Sequence, residues 1–103
     1  MYVGGVGVPR DPVEAVKLLR AAAERGQPFA QVLLGALYVR GDGIAQNYVE
    51  AYKWYSVAAR NARAPRSELA RDRAIRDREA LALKMDATAI AEAETLARAW
   101  KAN

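Results

Sequence analysis

Apolar and polar positions alternate along this chain with the period of an α-helix. Ala15, Leu18, Leu19 and Ala22 fall on one stripe of a predicted helix from Pro12 to Arg25. Ala51, Trp54, Tyr55, Ala58 and Ala62 fall on the matching stripe of a helix from Tyr48 to Ala62, with aromatic side chains where the first has aliphatic ones. Asp11, Pro12 and Glu14 form the start signal of the first helix: an N-cap, a proline at the first helical position, and an acid three residues after the cap. Asn47 and Glu50 repeat that pair for the later helix, and Gly26 supplies a left-handed stop for the first.

Between them, Pro28 to Arg40 is predicted as a helix apolar nearly all round, with Gln31 and Arg40 its strongly polar residues after Phe29. Such a helix is expected to be buried on several sides and to be the central element. Gly35 in its middle costs about 1 kcal/mol relative to alanine, so the close approach of a neighbouring backbone is expected there. Gly41-Asp42-Gly43 then breaks the chain. Beyond Pro65 the pattern changes. Residues 66–78 are charged, with Glu68–Arg71, Asp72–Arg76 and Arg73–Asp77 at helical spacing, as on an exposed helix. Asp86 caps a last predicted helix from Ala87 to Trp100, whose inner face is Ile90, Ala93, Ala97 and Trp100, with Leu96 at its border.

The pattern is written twice. Residues 2–26 and 38–62, offset by 36, agree at ten of 25 positions, including Tyr2/Tyr38, Gly5/Gly41, Gly7/Gly43 and Ala22/Ala58. Ordinary composition would give about two. A fixed period of that length marks stacked helical repeats. Twenty-three alanines among 103 residues favour close helix-on-helix packing over a thick core. The fold class is therefore all-α, a short α-α superhelix of about five helices closed by a C-terminal helical cap.

Chemistry is sparse. The chain has no cysteine and no histidine, which removes disulfides, Cys/His zinc sites and Ser-His or Cys-His nucleophiles. Gly4-Gly5-Val6-Gly7 lacks the spacing and the Lys-Ser/Thr of a phosphate-binding loop, and its second copy reads as a turn between paired helices. Glu92 and Glu94 stand two apart on a helix and face different ways. No catalytic, cofactor-binding or metal-binding residue is assigned, and the chain is read as a non-enzyme. The net charge is +4, with arginines at 60, 63, 66, 71, 73, 76 and 78 interleaved with Glu68, Asp72, Asp77 and Glu79. A solvated helix with internal ion pairs is favoured over a phosphate- or lipid-binding face. Tyr48 and Tyr52 lie off the alanine stripe and are expected to be exposed protein-contact residues.

The run Leu34-Gly35-Ala36-Leu37-Tyr38-Val39-Arg40-Gly41-Asp42-Gly43, followed by Ala51-Tyr52-Lys53-Trp54-Tyr55 and Ala58-Ala59, resembles the Sel-one-like repeat family, a relative of the tetratricopeptide repeat. On that resemblance Gly35, Tyr38, Gly41, Gly43, Ala51, Trp54, Tyr55, Ala58 and Ala59 are its structural signature. It implies three parts: residues 1–26 as the second half of a truncated unit, 27–62 as a complete unit, and 63–103 as a capping helix pair. The implied function is that of an adaptor or scaffold of bacterial type, for a protein or peptide partner, with no nucleic acid expected. An arginine-rich RNA- or anionic-membrane-binding module, or an accessory segment of a larger enzyme, is the alternative. Leu18 and Leu19 would ordinarily pack against a preceding helix. A longer array or self-association through the incomplete first unit is therefore expected. No apolar run is long enough to span a bilayer and no signal-peptide pattern is visible, so a cytoplasmic or a periplasmic location fits.

Overall fold

In the computed structural model, which describes residues 11–61 and 67–102, the chain forms five helices: α1 (Pro12–Glu24), α2 (Pro28–Arg40), α3 (Tyr48–Asn61), α4 (Glu68–Ala82) and α5 (Ala87–Ala99). Among the described residues there is no strand. The N-caps act as written. Asp11 accepts from the Val13 amide at 3.0 Å, Asn47 from Glu50 at 3.1 Å and Asp86 from Ala89 at 2.8 Å. Each cap satisfies one of the amides that a helix start leaves without a partner. The starts of α1 and α3 are Pro12 and Tyr48, 36 residues apart, so the sequence offset is kept in the helices.

Residues 41–47 make the corner between α2 and α3. Gly41 closes α2 in the left-handed region at φ 71°, its amide donating to the Leu37 carbonyl at 2.7 Å. Gly43 stands at φ 78° and meets a second constraint. A Cβ there would lie 2.5 Å from the backbone carbon and oxygen of Pro12, so the corner rests on the first turn of α1. The earlier glycine corner, residues 4–10, lies outside the described residues, as do Ala62, Arg63 and Arg66.

The helices stack in order, with α2 packed on α1 and α3, and α3 packed on α2, α4 and α5. The helix at the centre is thus α3, not α2 alone. Ala51, Trp54, Tyr55 and Ala58 are buried as their stripe requires, and Ala59 packs half-buried against them. α2 is buried on several sides, as expected, but not all round. Its buried residues include Gln31, Leu34, Gly35 and Tyr38, while Phe29 and Leu33 remain 50% and 51% exposed. Two neighbours, α1 and α3, cover most of α2, and α4 reaches it only partly, so one stripe stays open.

Gly35 does meet a close neighbour, but it is a ring rather than a backbone. An ideal Cβ on Gly35 would sit 2.7 Å from Cε1 and 3.0 Å from Cδ1 of Tyr55. Two polar contacts tie α1 to α2. Arg20 Nη2 donates to the Tyr38 hydroxyl at 2.8 Å, and buried Gln31 Nε2 donates to the Ala23 carbonyl at 2.9 Å. The buried line of α1 is Val16 and Ala23, with Leu19 and Ala22 packed at its edge. Leu18 is 57% exposed, whereas its equivalent Trp54 is 3% exposed. The difference has a local cause: Trp100, at the end of α5, covers Trp54 edge-on with ring centroids 5.9 Å apart. Among the described residues no helix covers α1 in the way α5 covers α3.

Ala93 and Ala97 are the buried residues of α5, with Ile90 and Trp100 half-buried beside them and Leu96 at the border at 38%. On α4, Ala70, Ala74 and Leu81 face inward. Both α4 and α5 lean on α3 more than on each other. This splay opens a groove between them.

Candidate protein-interaction surface

Tyr48 and Tyr52 were the residues expected to meet a partner. The exposure expected of Tyr52 is not found: it is 7% exposed, and Tyr48 is half-buried against the core. The repeat explains why. Tyr52 aligns with Val16 at the 36-residue offset, and Val16 is equally buried at 6%. The inward face of each repeat's second helix therefore includes this position as well as the alanine stripe. Burial pushes the Tyr52 hydroxyl above the ordinary phenol range, the Arg78 guanidinium draws it back, and Glu94 raises it again. Tyr38 is also raised by burial, opposed by its Arg20 partner. Tyr55 is pushed up to about 12, first by burial and then by Asp77, with Arg73 and Arg40 opposing. Burial thus favours the neutral form of all three hydroxyls.

The large apolar side chains that do face outward lie elsewhere. Phe29 and Leu33, one turn apart on α2, form one wall of a groove whose other wall is α4, with Leu69 (74% exposed), Arg73 and Arg76. Its volume is about 380 Å³. A second stretch of about 270 Å³ continues it toward Val39, Arg40 and Lys84, and the two share Ala36 and Asp77 in their walls. Along the rim, Arg73 is fixed on Asp77 at 3.1 Å. Apolar anchors with an arginine-bearing polar rim are the composition of protein-binding surfaces. Uniform apolarity of α2 concealed this face in the sequence, since periodicity cannot show which side of such a helix is left open.

Among the described residues the arginines do not form one continuous face. Arg71 approaches Asp72 at 3.4 Å, rather than Glu68, and Arg73 is paired with Asp77. Arg78 lines the groove between α4 and α5, where Arg60 and Arg98 also lie. Trp54 and Tyr55, at 3% exposure each, offer no stacking platform for bases or sugars. Among the described residues no group of His, Cys, Asp or Glu could hold a metal ion, and no helix is long and apolar enough to cross a membrane.

Comparison with known proteins accords with this architecture. A family model of the Sel1 repeat matches residues 1–27 and 28–62. Two curated relatives are each called an exopolysaccharide production negative regulator. The one from Rhizobium meliloti (strain 1021) is 44% identical over 55 residues, and the one from Rhizobium leguminosarum bv. viciae is 42% identical over 55. The aligned part is 53% of this chain but 20% and 21% of those proteins, so the match spans about a fifth of their length.

Proposed function

This chain belongs to the Sel1-repeat family, whose repeats build helical protein-interaction modules, and we propose that it serves as an adaptor or scaffold that holds a protein partner in the groove between α2 and α4. The observation that carries this reading is the row of unburied anchors, Phe29, Leu33 and Leu69, set on helices whose own packing is tight. Full burial of one such side chain stabilises by about 1.5–3 kcal/mol, and each is at least half exposed, so a partner has roughly half of that or more to gain per anchor. Rigid helices lower the ordering cost of binding. Within this reading residues 1–26 and 27–62 act as a half-repeat and a whole repeat, and 63–103 as the cap that gives the stack a polar end. Chemistry, where a larger protein performs any, belongs to other segments. The names of the relatives support a partner-holding part within a regulator.

The test is affinity capture from a bacterial host with the unaltered chain and with Leu33→Asp. A protein retained by the first and lost by the second, at equal melting temperature, supports the reading. Retention of RNA alone, falling steeply with salt, would replace it with the arginine-based alternative. A second surface has its own observation: Val13 and Leu18 on α1 are 51% and 57% exposed. Covering by a further repeat of a longer array or by another copy is the reading it favours, and light scattering that stays monomeric at high concentration removes the second.

A further inference from the structure

The groove between α4 and α5, floored by α3, holds about 550 Å³ and has a different chemistry from the apolar one. Arg60, Arg78 and Arg98 line it together with Ser56 and Glu94, so three guanidiniums face one carboxylate. None of the three lies within 4.0 Å of a carboxylate among the described residues. Glu94 and Arg98 are spaced i, i+4 on α5, the best spacing for an ion pair, and yet do not close one. Two of the three arginines are held by neutral groups instead. Arg78 Nη1 donates to Ser56 Oγ at 3.4 Å, and its guanidinium carbon sits 6.0 Å from the centre of the Tyr52 ring. Arg98 Nη2 reaches Thr95 Oγ1 at 3.4 Å, while that hydroxyl itself donates to the Ala91 carbonyl at 3.0 Å. Arg78 and Arg98 are thus oriented without being neutralised. Elsewhere on α4, Arg71 and Arg73 already have aspartates.

From this arrangement we infer that the α3–α4–α5 groove is a second binding site, specific for an acidic peptide segment of the partner, whose carboxylates meet Arg60, Arg78 and Arg98. The inference rests on the reading of the chain as a protein-interaction module. Planar guanidiniums take carboxylates by paired, charge-assisted hydrogen bonds, and prior orientation reduces the entropy lost on binding. Nucleic acid fits less well. Tyr52 lies beneath Arg78 at 7% exposure and cannot stack a base. Tyr52 then supports the site from below rather than meeting the partner.

The experiment measures fluorescence anisotropy of a labelled peptide of alternating glutamate and alanine, with its glutamine counterpart, an oligouridylate and phosphatidylserine-containing vesicles as the other probes. The glutamate peptide is expected to bind and the glutamine peptide not. Arg98→Glu and Arg98→Gln should each weaken binding about tenfold or more, as loss of one paired contact implies. Arg71→Glu, the same charge change outside the groove, should weaken it far less. Equal loss with Arg71→Glu, equal binding of the glutamine peptide, or tighter binding of oligouridylate or vesicles would each overturn the inference. Arg98 is exposed, so both variants should fold, and melting curves check this. If the peptide fails to bind while Leu33→Asp still abolishes partner capture, the second site falls and the interaction module stands.

Discussion

Replacing Gly35 by alanine sets two effects of opposite sign against each other. Alanine in a helix interior is about 1 kcal/mol better than glycine. The added methyl, however, would lie 2.7, 3.0 and 3.2 Å from three carbons of the Tyr55 ring, where carbon atoms prefer about 3.5–4.0 Å. That ring is 3% exposed and cannot swing into solvent. Overpacking of this kind costs about 1–3 kcal/mol, so the net change runs from near zero to about 2 kcal/mol of lost stability. The decisive quantity is the coupling to Tyr55. With Tyr55→Leu, the residue type that the first repeat carries at Leu19, the rigid ring is gone and the same glycine-to-alanine change should stabilise by up to about 1 kcal/mol. Urea melts of the four proteins give the cycle, with an expected coupling of about 1–3 kcal/mol. For a domain of this size, about 1 kcal/mol moves the melting temperature by roughly 4–8 °C. A coupling near zero, or a plain gain in the intact protein, would refute the close packing of α2 on α3.

Gly35→Leu should cost several kcal/mol, since it adds three further carbons at the same contact, and thermal melts followed by circular dichroism check it. Trp54→Ala should cost about 3–5 kcal/mol, with about 0.5–1.5 kcal/mol of coupling to Trp100 in a double-mutant cycle. Gly43→Ala should lower stability by more than about 1–2 kcal/mol, because the left-handed strain is joined by collision with the Pro12 backbone, and denaturant midpoints measure it. Alkaline titration should be destabilising from about pH 10 upward: Tyr55, raised from 10.0 to about 12, keeps its proton in the fold while the unfolded chain loses it. The stability linked to Tyr55 is therefore whole below pH 10 and is lost as pH rises toward 12. Tyr55→Phe should flatten that decline in melts across the range.

Much of this fold is local in origin and could be read locally. The three helix caps at Asp11, Asn47 and Asp86, the proline starts and the glycine stops are short-range chemistry, and they bind as their spacing dictates. The inner face of α3 was legible because aromatic and small residues mark it. What stayed hidden depends on neighbours. Nothing in Phe29 to Arg40 says which stripe of α2 its companions will leave uncovered. The ring beside Gly35 comes from Tyr55, twenty residues on, and the sequence tells only that something approaches closely. Leu18 and Trp54 hold equivalent positions and differ in cover because Trp100 reaches one and not the other. Tyr52 was open to a better reading: Val16 in the other copy is an apolar residue at the same place, and an apolar equivalent argues for burial. Arg78 was lost among its neighbours, since linear charge pattern does not separate arginines that pair on α4 from one that turns into a groove.

The most direct measurement of the central claim is an amide hydrogen-exchange footprint of the captured partner on this chain. Binding in the α2–α4 groove predicts added protection along Pro28–Arg40 and Glu68–Ala82, strongest near Phe29, Leu33 and Leu69. Protection confined to α1, or no protection on any helix while the complex persists, would contradict it.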